Sequence, residues 1–241
     1  QVRTLTAEGQ MQALVLLALS ENSIRSTGPN GEPPTPAADI ELTYAERKRL
    51  KALGATAAIV MHYVSDWSQA QVEGMQSECE RLGITIVAVT EAGFQSDRQV
   101  ADLESVLTKR PDVIVSIPTD PVATAYAYRA AAAQGAKLVF IDNIPAGFAA
   151  GRDYVSVVAA DNYGNGVASA HLMAQALDGQ GMIGMIKHDA DFFVTGQRAD
   201  AFEATIASDY PGMRIVARGG VTGPDFAADG RVAASALLSE H

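Results

Sequence analysis

Hydrogen-bonding side chains stand at four points in this sequence, each directly after an apolar run, and at two of them aromatic rings stand beside them. His62-Tyr63-Val64-Ser65-Asp66-Trp67 follows the first, Pro118-Thr119-Asp120 another and Asp142-Asn143 another. His188-Asp189-Ala190-Asp191-Phe192-Phe193 follows the fourth, with Arg198 shortly beyond. Such a set suits a polyhydroxylated ring, whose apolar face stacks on an aromatic plane while each hydroxyl both donates and accepts. A carboxylate accepts two hydroxyls at once, and an Arg fork donates to two neighbouring oxygens. The candidate ligand-binding residues are therefore His62, Tyr63, Asp66, Trp67, Asp120, Asn143, Phe192, Phe193 and Arg198.

Each of these also has a plainer reading. Trp67 could be core, although its place next to Asp66 at a loop-to-helix junction suits a site equally well. Asp120 could cap a helix opening at Pro121, and the cap and ligand readings stay open together. Arg198 falls in the first turn of a helix expected over 195–208, where a cation opposes the dipole and calls for an anionic or hydroxyl partner. Phe192 and Phe193 are consecutive, so they are not both read as core. Glu91 and Asp225 read as solvated or capping carboxylates. Cys79, without a nearby base, reads as a packed thiol.

Other chemistries lack their residues. Gly179-Gln180-Gly181-Met182-Ile183-Gly184 spells GxGxxG, but it closes a helix and opens a strand, the reverse of a dinucleotide fingerprint. No phosphate loop, HExxH, GxSxG or CxxC is present, so neither catalytic set, cofactor nor metal is expected. His188 and Asp189, with His62 as a distant third donor, fall short of the converging ligands a metal needs.

The elements that position these residues form a regular series. Apolar, β-rich runs over 57–63, 84–89, 113–117, 138–141, 154–159, 182–186 and 214–217 alternate with amphipathic stretches. Helices are expected over 68–82, 97–109, 121–134, 163–177, 195–208 and 224–239. The runs are apolar nearly throughout, as in strands covered on both faces by helices. The fold class is α/β, in two doubly wound parallel-sheet lobes. Ligands of such sheets bind outside the carboxyl ends of the strands, where the candidates lie. Before this series, a short helix over 7–20, a Pro- and Gly-broken stretch and a basic helix 44–53 opened by the Thr43–Glu46 capping box form an arm.

Composition bounds the rest. With 48% hydrophobic and 19% charged residues among 241, the chain can bury a core. A formal charge of −10 and an isoelectric point near 4.8 argue against nucleic acid or an anionic membrane as partner. A single cysteine excludes an intramolecular disulfide. The longest apolar run, 13–19, is far short of the roughly 20 residues that span a bilayer. With Glu8 before it and no basic flank, it is not an intact signal peptide.

From about Thr56 onward the chain resembles the type I periplasmic sugar-binding proteins, the ribose/galactose-binding kind of solute receptor of ABC importers. The likeness rests on Ser116-Ile-Pro-Thr-Asp-Pro-Val-Ala123, Gly135-Ala-Lys-Leu-Val-Phe-Ile-Asp-Asn143, Val157-Val-Ala-Ala-Asp-Asn-Tyr-Gly164, and Gln197-Arg198 leading into Ala201-Phe202. The resemblance implies a non-catalytic receptor for a small sugar or polyol, periplasmic or otherwise extracytoplasmic, closing two lobes on its ligand and presenting itself to a membrane ABC permease. A lipid anchor on the arm stays open. By the same resemblance Trp67 is the aromatic that stacks on the sugar, Asp120 the carboxylate after the third strand, Asn143 a ligand neighbour at the first crossover, Phe192 a ligand-facing aromatic and Arg198 the second lobe's arginine. The implied organisation is an arm over 1–54, a first lobe over 55–143, a hinge over 144–153 and a second lobe over 154–241. That lobe is incomplete, since family members continue through roughly two further βα units. The rival reading is the effector-binding domain of a sugar-responsive transcription repressor. Its mark, a basic helix-turn-helix, is not evident in residues 1–53.

Overall fold

A computed structural model describes residues 24–223 and 225–240. The helix expected over 7–20 lies outside the described residues. Five of the apolar runs become β1 (Thr56–Met61), β2 (Thr85–Glu91), β3 (Val113–Ser116), β4 (Lys137–Ile141) and β5 (Ser156–Val158). All pair in parallel, in the order β2-β1-β3-β4-β5. The helices of this part are α1 (Tyr44–Leu53), α2 (Asp66–Leu82), α3 (Ser96–Leu107) and α4 (Ala125–Ala133). The Thr43–Glu46 box forms as expected, and Gly54, in the left-handed region at φ 59°, ends α1.

The continuous apolar run of β1 has a physical reason. Ala58 and Val60 pack with Leu103 and Val106 of α3 and Tyr128 of α4, whereas Ile59 and Met61 join Val72 and Met75 of α2 on the opposite face. Alternate residues point to opposite faces, and both faces here are core. Phe140 of β4 anchors the first face, edge-on to Tyr128, Phe148 and Tyr154 at centroid distances of 5.2, 6.1 and 5.8 Å.

The rest of the chain supplies β6 (Gly181–His188) and β7 (Met213–Val221), a parallel pair, with α5 (Asn162–Ala176), α6 (Phe193–Asp209) and α7 (Phe226–Glu240). Ala170, Ala174, Ile183, Ile206 and Met213 form its core. Leu237 of α7 packs beside Gly184 and Gly219, on the strands' other side. Among the described residues no helix is long and apolar enough to cross a membrane.

The chain divides differently from the expected domains. Two compact units form, one from residues 35–159 and one from the described residues of 1–34 together with 160–240. The helix-free stretch after β4 is not the passage between units. It turns back through Ala149–Asp153 and returns as β5, which pairs Val139 with Ser156 and Ile141 with Val158. Burying Tyr154 against Phe140 ties this return to the first core, so the run expected to open the second lobe closes the first sheet. The arm likewise splits: residues 24–34 lie with the β6–β7 unit, and residues 35–54 with the β1–β5 unit.

One buried polar side chain holds the loop after β3. Gln99 of α3 is fully buried, in the same stripe as Leu103, Val106 and Leu107. Its amide donates to the Ile117 carbonyl (2.7 Å), and its Oε1 accepts from the Thr119 N–H (2.7 Å) and hydroxyl (3.1 Å). An unsatisfied buried group costs about 1–3 kcal/mol. Gln99→Leu strands the Ile117 carbonyl and the Thr119 N–H, so it is expected to destabilise the protein by about 2–4 kcal/mol. Urea unfolding measures this, and a loss under about 0.5 kcal/mol would mean the loop holds itself.

Candidate functional site

In the β1–β5 unit the expected residues do gather at the carboxyl edge of the sheet. His62 follows β1 directly, and its ring meets Trp67 edge-on at 6.5 Å and Phe94 at 4.8 Å. Tyr63 lies 5.3 Å from the same Phe94. Ser65 and Ser68 cap α2 reciprocally, which seats Asp66 and Trp67 in its first turn with both side chains exposed. At 47% exposure Trp67 is not core. Asp120 is a cap: Oδ1 accepts from the Val122 N–H (2.8 Å) and the Ala123 N–H (2.7 Å). That turn delays α4 to Ala125, later than the expected start at 121. The Oδ2 oxygen of Asp120 has no partner among the described residues, so the cap leaves one oxygen for a ligand. Asn143 is buried after β4, behind Asp142 at φ 60°.

Phe94 was missed, although the rule that located the other residues, inspection of the first positions past each strand, applies equally after β2. Glu91 explains its placement. Its carboxylate accepts from the Gly93 N–H (3.1 Å) and from Arg98 (2.7 Å), fixing a turn in which Gly93 and Phe94 both take positive φ.

In the β6–β7 unit, His188 ends β6 and lies 4.9 Å from Phe192 and 5.6 Å from Phe226. Phe192 is buried and precedes the first turn of α6, while Phe193 is half-buried. Because α6 starts at Phe193, Arg198 sits in its second turn rather than the first, and the dipole argument for an anionic partner weakens. Arg198 is exposed and lines a groove of about 400 Å³ beside β6, with Ile183, Lys187 and Phe202. Its backbone is set by Gly166 of α5, where any Cβ would collide with the Arg198 carbonyl and crowd Ala201. Among the described residues no cluster of His, Cys, Asp or Glu converges to hold a metal ion. Asp225 caps Ala228 (2.9 Å), and burial pushes the half-buried Cys79 thiol up, in keeping with a packed thiol.

The order β2-β1-β3-β4-β5 with helices on both faces, followed by a second α/β unit, is a doubly wound architecture. The model of the periplasmic binding protein domain matches residues 57–241, and the chain belongs to that family. Solved structures share the fold. AraP, an arabinose-binding protein from Geobacillus stearothermophilus, superposes with a TM-score of 0.64 at 24% identity over 78% of this chain and 62% of its own. A carbohydrate transporter solute-binding protein from Agrobacterium radiobacter, in complex with D-arabinose, gives 0.67 at 21% over 78% and 63%. An ABC transporter solute-binding protein from Mycobacterium smegmatis, with bound glycerol, gives 0.67 at 24% over 78% and 62%. The chain thus spans less than two thirds of the length of these proteins. No curated protein sequence matches it.

His62 gives this edge a pH signature. Its Nδ1 is buried and has no hydrogen-bond partner among the described residues, and burial lowers its pKa from 6.5 to about 4. Between these two values the unfolded chain takes up a proton that the folded chain refuses, so stability falls as pH drops from about 6.5 towards 4. Above that window the ring adds no pH dependence. His62→Gln is expected to flatten this part of the curve of Tm against pH, and parallel curves for the two proteins would place the imidazole in solvent.

Proposed function

We propose that this protein is an extracytoplasmic receptor that binds a small sugar or polyol without transforming it. The observation that carries this reading is the aromatic group at the carboxyl edge of β1 and β2. There the exposed Trp67 stands edge-on to a neutral His62, on the same sheet edge as the half-capped Asp120 loop. A flat apolar surface together with hydrogen-bonding oxygens fits the two kinds of surface on a sugar ring. The related folds with arabinose or glycerol bound favour the same ligand chemistry.

On this reading Trp67, His62, Tyr63, Asp66, Asp120 and Asn143 form one half of the ligand site, and Phe192, Phe193 and Arg198 belong to the other. Closure of the receptor on its ligand is driven by the ligand's higher affinity for the closed form. That form is the one recognised by a membrane ABC permease. A fixed set of oriented donors and acceptors discriminates against ligands that leave them unpaired.

Thermal unfolding against a panel of pentoses, hexoses, tetritols and pentitols is expected to single out one ligand by a raised Tm. Calorimetry with that ligand should find binding at least tenfold weaker in Trp67→Ala and in Arg198→Ala, neither of them at a buried side chain. A panel without any selective stabilisation, or unchanged affinity in both variants, overturns the reading.

A further inference from the structure

Residues 25–27 do not trail from the fold. Ser26 is buried, at 8% exposure. Its N–H and hydroxyl both donate to Asp161 Oδ1, at 2.9 and 2.8 Å, and the Arg25 N–H donates to Oδ2 at 3.2 Å. The Ser26 hydroxyl oxygen in turn accepts from the Tyr163 N–H at 2.9 Å. Asp161 is the N-cap of α5, and its Oδ1 also accepts from the Gly164 N–H at 3.0 Å. A helix start presents N–H groups without intrahelical partners. Here Asp161 serves one of them, and Ser26, from far away in sequence, serves its neighbour. Burial works to raise the Asp161 carboxyl, but the hydrogen bonds from Gly164, Ser26 and Arg25 outweigh it and hold it below its ordinary value.

The same segment reaches α6. The Gln197 side chain donates to the Thr27 carbonyl at 3.1 Å, immediately before Arg198. Gly166, one turn into α5, is where the Arg198 backbone leans on that helix. Beyond Thr27 the chain closes a tight loop: the Gly28 N–H donates to the Glu32 carbonyl (2.7 Å), and the Asn30 N–H to the Glu32 carboxylate (2.8 Å). The docked residues are thus held by α5 and α6 and lead directly into a built turn. They lie outside the region matched by the family, residues 57–241.

We propose that residues 25–27 are a latch that sets the α5–α6 pair and so positions Arg198 for the ligand. Ser26, Asp161 and Gln197 are its positioning residues, and the link to ligand rests on the receptor reading above. The latch also lies close in sequence to one of the two places where the polypeptide passes between its units, Pro34–Thr35, the other being Ala159–Ala160.

The test uses the whole chain and two readouts: amide exchange by NMR, and affinity for the sugar selected from the panel. Ser26→Ala is expected to speed exchange of the Tyr163 amide at least tenfold, speed exchange in the first turns of α6, and weaken sugar binding about threefold to tenfold. Ser26→Thr, which keeps the hydroxyl, is expected to restore both. Gln197→Ala, at a partly exposed side chain, tests the contact with α6 alone and should loosen α6 without touching Tyr163. Trp67→Ala is expected to weaken binding with exchange unchanged. Wild-type exchange at Tyr163 and α6 in Ser26→Ala overturns the latch, and faster exchange with unaltered affinity overturns its positioning role. Should no sugar bind the native protein, the receptor reading fails by itself, and exchange in α6 alone decides the latch.

Discussion

Burial of β1 on both faces is the constraint from which the arrangement of the candidate site follows. Ala58 and Val60 face α3 and α4, Ile59 and Met61 face α2, and so no side chain within the strand is free to meet a ligand. Polar chemistry can begin only where the strand stops. His62 is the first residue past that point, and Trp67, Phe94, Asp120 and Asn143 occupy the equivalent places after β1 to β4. Parallel pairing puts all of these ends on one edge, because each crossover from β1 to β4 returns through a helix to start the next strand at the opposite edge.

Loops at such an edge need anchors, and the anchors here are polar groups that do not themselves face a ligand. Gln99 ties the loop after β3 from inside the core. Glu91 and Arg98 hold the turn that presents Phe94; as a surface pair they add about 1 kcal/mol at most, so their contribution is geometric. In the other unit Asp161 holds the start of α5, and Gly166 lets α6 approach. Asp120 is itself partly an anchor, since one oxygen caps the turn after it. Its two readings, cap and ligand, are compatible because a carboxylate has two oxygens.

Much of the fold was legible because periodicity reports burial directly. The apolar runs marked the strands, and the Thr43–Glu46 box marked the start of α1. The rule about strand ends brought His62, Tyr63 and Trp67 to one edge. It would have found Phe94 had it been applied after β2. Gln99 also left a trace, a polar residue in an apolar stripe, but a stripe does not say what the amide bonds to. The boundary between units was not legible. A stretch without a helix reads as a passage between lobes, and only the pairing of β5 with β4 showed that the chain turns back.

The sequence by itself determined the α/β class, the strand and helix series, and the residue types available at each strand end, since these depend on local spacing and on which side chains avoid water. Only the tertiary structure decided that β5 belongs to the first sheet, that Arg198 stands a turn deeper in its helix, and that Ser26 caps a helix over a hundred residues away. Those outcomes rest on hydrogen bonds and packing between segments distant in sequence. Such contacts form wherever an unpaired N–H or an unfilled core meets a partner, and no local pattern encodes the meeting.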